Sequence, residues 1–139
     1  MEASVIRELA YSAEAVWGLI SNFGNRDWSP SIDKVVMEGE GVGAVRYMYV
    51  GDRPPCAERL EALDHSTMHM TYSIVENNPL PLDNFLGSVQ VKTIENSNCQ
   101  VNWGASGSAS GKTEAEVTTI MQATYNGILD AVETHLNSL

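Results

Sequence analysis

A chain of 139 residues with eight Lys and Arg against eighteen Asp and Glu, net charge −10, is long enough for one domain spanning residues 1–139 to bury a core and a cavity. Its negative field repels phosphate backbones and anionic lipid, which argues against nucleic-acid and membrane-surface partners. No apolar run reaches membrane-spanning length and the N-terminus lacks a signal peptide's basic start and apolar middle, so a soluble, cytoplasmic protein is expected.

Residues 4–10 read as a short strand. Ser12 then stands where an N-cap belongs, with Glu14 in the first turn near the positive helix end. Val16, Trp17, Leu19 and Ile20 give that helix its apolar face, and residues 22–24 end it. The connector Asn25-Arg26-Asp27-Trp28-Ser29-Pro30 is turn-rich and carries one large aromatic; Ser29 or Ser31 is placed to cap a single helical turn.

From Ile32 the apolar period changes to two, the signature of strands. Residues 32–37 and 44–50 flank the hairpin connection Glu38-Gly39-Glu40-Gly41-Val42-Gly43. The loop 51–55 is too rich in proline to pair as a central strand. Strands 57–64 and 68–75 meet at Asp64-His65-Ser66. A longer loop with two exposed leucines, Leu80 and Leu82, leads into strands 84–94 and 99–106, which are joined by the turn 95–98. A Gly/Ser-rich link, 104–111, precedes the last element.

From about Thr113 no proline interrupts the chain, and Val117, Ile120, Met121, Thr124, Ile128, Val132 and Leu136 form one apolar stripe. About 25 residues of helix span about 37 Å, more than a small domain's width. So long a helix needs a broad, curved partner surface, and the strands supply it. Short loops make consecutive strands antiparallel. The expected fold is therefore α+β: a curved antiparallel sheet of about seven strands around a long C-terminal helix, with short helical segments after the first strand.

Strand alternation places the candidate chemistry. Glu58, Leu60 and Ala62 share one face of their strand, while Arg59, Glu61 and Leu63 share the other. Met68, Met70, Tyr72 and Ile74 oppose His69, Thr71 and Ser73; Arg46, Met48 and Val50 alternate with Val45, Tyr47 and Tyr49. Neighbouring antiparallel strands can bring Arg46 and Glu58 into contact on one concave wall. A carboxylate in an apolar cavity is pushed up in pKa, and an adjacent guanidinium pulls it down. Two readings stand: a structural ion pair that lets a buried arginine exist, or a pair that orients a ligand's polar group, with general acid–base work by Glu58 and Tyr72 as its narrower form. For Tyr72 and Trp103 the ordinary role is packing; Trp28, between elements, is placed for a pocket mouth.

The ordered set Ala15-Val16-Trp17, Asp27-Trp28-Ser29-Pro30, Gly43-Ala44-Val45-Arg46, Glu58-Arg59-Leu60, Tyr72-Ser73-Ile74, Val101-Asn102-Trp103 and Tyr125-x-x-x-Leu129 resembles the Bet v 1-like, START-related superfamily of helix-grip proteins. Within that superfamily it is similar to the polyketide cyclase/dehydrase-like group. The resemblance covers nearly the whole chain and implies a fold that hosts binding proteins, receptors and enzymes alike. Two subgroups are similar in part. Abscisic-acid receptors carry gate and latch loops where this chain has 51–55 and 76–83, with different residue types. Lachrymatory factor synthases match at Arg46, Glu58 and Tyr72, which the resemblance implies as pocket residues used in proton transfer; Phe85 stands where they carry a further tyrosine.

Other motifs lead elsewhere. Residues 107–113 approach a phosphate-binding loop, but Ser106 occupies the place of its first glycine. The Gly39-x-Gly41-x-Gly43 run precedes a strand, not a helix, so it is a hairpin rather than a dinucleotide site. Contiguous Asp64-His65-Ser66 is turn chemistry and not a triad. His65, His69 and His135 show no metal-ligand spacing, so no metal and no cofactor are expected. Cys56 and Cys99 read as free thiols, with one bridge as the alternative.

The expected function is binding of a small hydrophobic molecule in a cavity between sheet and helix, with cyclisation, dehydration or isomerisation by Arg46, Glu58 and Tyr72 as candidate chemistry. A non-catalytic carrier or receptor-like protein is the alternative. Trp28, Met48, Leu60, Met70, Phe85, Trp103, Met121 and Tyr125 are the candidate ligand-binding residues.

Overall fold

In the computed structural model, which describes residues 1–139, the chain runs β1 (Glu2–Leu9), α1 (Ala13–Ile20), β2 (Lys34–Glu38), β3 (Val45–Tyr49), β4 (Cys56–Asp64), β5 (His69–Glu76), β6 (Leu82–Glu95), β7 (Asn98–Ala109) and α2 (Glu114–Asn137). The strands form one open antiparallel sheet in the order β1-β7-β6-β5-β4-β3-β2. This is the α+β helix-grip arrangement the strand and helix patterns predict. Ser12 caps α1 through the Ala15 amide. At Thr113 the hydroxyl accepts from the Glu116 amide while the Glu116 carboxylate accepts from the Thr113 amide, a full capping box on α2.

Two adjacent stripes of α2 do different work. Val117, Met121, Tyr125, Leu129, Val132 and Leu136 are buried in the core against the sheet and α1. Thr124, Ile128 and Ala131, one step around the helix, stay half-buried and face a cavity. On the opposite flank of the helix Arg7 of β1 holds it, donating to Asp130 at 2.7 Å and to the Asn126 side chain at 2.8 Å.

Four local readings change. Leu82, expected exposed in a loop, opens β6 and is buried. The Gly/Ser-rich tract is strand as far as Ala109, because its small residues permit close approach: a Cβ on Gly104 would stand 2.7 Å from the Ala3 carbonyl oxygen. The helical turn expected at Ser29 or Ser31 is instead a pair of tight turns, Ser29 N–H to Arg26 O and Ile32 N–H to Ser29 O. Within β4, Leu60 pairs with Tyr72 and Ala62 with Thr71, so Glu61 is an extra residue. That bulge exposes Ala62 and turns Leu63 toward the core, the reverse of strict alternation.

No helix is long and apolar enough to cross a membrane. Both cysteines are free thiols. Lys112 and Thr113 lead into α2, where Thr113 is spent on the cap. Asp64 Oδ1 accepts from the Ser66 amide and hydroxyl, a turn, and His65 Nδ1 accepts from Trp17 Nε1 at 3.0 Å.

Candidate functional site

Register brings the chemistry together. Arg46 on β3 lies directly opposite Glu58 on β4. Just beyond it the β4–β5 ladder skips Val75, Ala57 pairing with Glu76 and Glu58 with Ile74. Bulges of this kind re-aim side chains, and here Ala57 and Glu58 are both buried.

Arg46 Nε and Nη2 donate to the same carboxylate oxygen, Glu58 Oε1, at 2.9 and 2.7 Å. Arg46 Nη1 donates to the Phe23 carbonyl at 3.1 Å, and the guanidinium lies 3.9 Å from the centroid of the Phe23 ring. The arginine is only 1 % exposed. It sits behind the wall, anchoring Glu58. The second carboxylate oxygen, Oε2, accepts no hydrogen bond from the protein, and Glu58 lines a cavity of about 820 Å³ between the sheet and α2.

Tyr72, on β5, reaches the same cavity. Its hydroxyl accepts from Trp103 Nε1 at 2.8 Å, and its ring lies over Gly87 of β6, where any Cβ would meet ring carbons at 2.5–2.9 Å. Burial, and then the negative charge of Glu58, push the phenol up to about 12. Tyr125 on α2 stacks on Trp103, and its own hydroxyl is buried without a partner; burial raises it well above the usual tyrosine range. Both phenols therefore keep their protons at neutral pH.

Residues 1–137 match the family described as polyketide cyclase / dehydrase and lipid transport. The chain belongs to that family. Its fold is that of the Bet v 1-like superfamily, and three solved structures show how closely. An uncharacterised protein from Bacillus thuringiensis is 28 % identical, with 97 % of this chain and 98 % of that one covered and a TM-score of 0.86. XoxI from Bacillus cereus is 29 % identical over 96 % and 94 %, with a TM-score of 0.85. The Zhui aromatase/cyclase from a Streptomyces species shares the fold at 18 % identity, 97 % and 92 % coverage and a TM-score of 0.78. Among curated proteins none matches.

On this family scaffold Met48, Glu58, Tyr72, Phe85 and Tyr125 line the cavity. Leu60, Met70, Trp103 and Met121 also lie in the hydrophobic core, but neighbours cover them, so they stand behind the wall and not on it. Trp28 is buried too, its Nε1 donating to the Asn25 carbonyl. Arg26, Ser29 and Pro30 reach the cavity from that connector, and the Arg26 guanidinium lies 4.5 Å from the Trp28 ring centroid. The loops 51–55 and 76–83 supply Arg53, Pro54, Asn77, Asn78, Pro79 and Leu80 to the same cavity. Arg26 is not legible in the sequence as a cavity residue, because a turn-rich connector has no periodicity to say which way a side chain points; an arginine two residues before a tryptophan is its only mark.

Proposed function

We propose that the protein binds a small, largely apolar molecule in this cavity and acts on it by proton transfer at Glu58, as cyclisation, dehydration and isomerisation require. One observation carries the reading: Arg46 pins one oxygen of Glu58 while the other is open to an apolar cavity. A carboxylate fixed in this way is oriented toward a substrate C–H or O–H before the substrate arrives. Glu58 Oε2 would take that proton, while the Tyr72 hydroxyl donates a hydrogen bond to oxygen on the same molecule. Apolar burial supplies most of the affinity and the few polar groups set orientation. Membership of a cyclase/dehydrase and lipid-transport family, and the shared fold of the Zhui aromatase/cyclase, support the reading.

A second reading, a carrier without turnover, is favoured by the Trp103–Tyr72 hydrogen bond. It ties Tyr72 to a structural partner and leaves Glu58 as the sole acid–base group. Native mass spectrometry of the purified protein, followed by extraction of the co-purifying molecule, separates the two. With that molecule as substrate, the wild type converts it and Glu58→Gln retains it unconverted. Recovery of the molecule unchanged from both proteins would establish the carrier.

A further inference from the structure

Two guanidinium groups face this buried region and share one carboxylate. Arg46 takes Glu58 through two hydrogen bonds. Arg26 has none: it is 8 % exposed, its Nε is buried without a hydrogen-bond partner, and no carboxylate lies within ion-pair distance. It rests on Trp28 and lines the cavity. The rest of the wall repeats this bias. In a chain of net charge −10, the cavity is lined by Arg26 and Arg53 and by a single acid, Glu58.

An unpaired buried cation is costly, and the usual remedy is an anion brought to it. The planar fork of arginine suits a carboxylate, which accepts two parallel N–H bonds. We infer that the molecule taken into this cavity carries a carboxylate, seated on the Arg26 guanidinium, with its apolar body extending along Ile74, Phe85 and Ile128. Burial, and then the charge of Arg46, draw the Arg26 guanidinium down to about 10. It is therefore still a full cation at neutral pH, held in a place that disfavours it, and a bound carboxylate relieves that.

This inference rests on the cavity being a ligand site, so its test separates the two. N-phenyl-1-naphthylamine, a neutral apolar dye, reports occupancy by fluorescence, and 1-naphthaleneacetate and its neutral twin 1-naphthaleneacetamide compete for it at pH 7. The acid is expected to displace the dye at a concentration at least about tenfold lower than the amide. In Arg26→Gln that ratio falls to about one, and Arg26→Lys, which keeps the charge, restores part of it. Dye that fails to bind would overturn the ligand-site reading and this inference with it. Dye that binds, with the acid competing no better than the amide in the wild type, would overturn this inference alone.

Discussion

Arg46 gives two N–H bonds to Glu58 and a third to the Phe23 carbonyl, inside a site nearly closed to solvent. Removing one member of such a pair strands the other's charge, whereas removing both strands neither. Arg46→Met is therefore expected to cost about 3–5 kcal/mol in unfolding free energy, read by urea titration. The double variant Arg46→Met, Glu58→Leu should regain most of that loss. If the double variant is as unstable as the single one, the cost comes from lost packing against Phe23 and not from a stranded carboxylate.

Strand β6 and helix α2 each carry a glycine beside the cavity, with opposite reasons for it. Gly87 of β6 lies under the Tyr72 ring, which Trp103 holds through its hydroxyl, so an added methyl has nowhere to go. Gly127 of α2 has no atom within 4 Å of a would-be Cβ. Gly87→Ala is expected to destabilise by about 1–3 kcal/mol through overpacking. Gly127→Ala should stabilise by about 0.5–1 kcal/mol by relieving glycine's helix penalty. Thermal unfolding of the two variants checks both signs; a neutral Gly87→Ala would mean the Tyr72 ring is free to move.

What could be read from the sequence, and what could not, divides along the same elements. Alternation puts Glu58 and Tyr72 on the apolar faces of their strands, and pairing of β3 with β4 can bring Arg46 beside Glu58, because a period of two is a property of one strand. That the two are direct opposite neighbours is set by the register. The bulge at Glu61 and the skip at Val75 belong to a pair of strands, and neither chain segment announces them. Strict alternation therefore puts Leu63 and Ala62 on the wrong faces. The α2 stripe is legible as apolar, but its division into a core-facing and a cavity-facing row depends on how the helix lies across the sheet. Arg26 lay outside any periodic element.

Taken as a whole, the molecule holds ionisable groups in its cavity wall that set its response to alkali. Cys56 is pushed up to about 12 by burial and then by Glu58, from an ordinary 9.0, and Tyr72 to about 12 from 10.0. The unfolded chain releases these protons near pH 9 and 10, while the folded chain keeps them to about pH 12. The unfolded state thus binds fewer protons in that window, and stability, undiminished below pH 9, falls as pH rises through it. Arg26, lowered from 12.5 to about 10, works the other way, adding stability from about pH 10 upward. The melting temperature is expected to begin falling at about pH 9, less steeply in Cys56→Ser. A melting temperature flat from pH 8 to 10 in the wild type would contradict it.

Everything proposed for Glu58 and Arg26 requires that a guest enter the space beside α2. Titration with N-phenyl-1-naphthylamine reads this directly. The wild type should bind one dye per chain, saturably and with a blue-shifted emission, and Ile128→Trp, which fills the space from α2, should abolish the signal without unfolding the protein. A wild type that leaves the dye's emission unchanged, or an Ile128→Trp variant that binds it as well as the wild type, would show that the cavity is not where this protein takes its ligand.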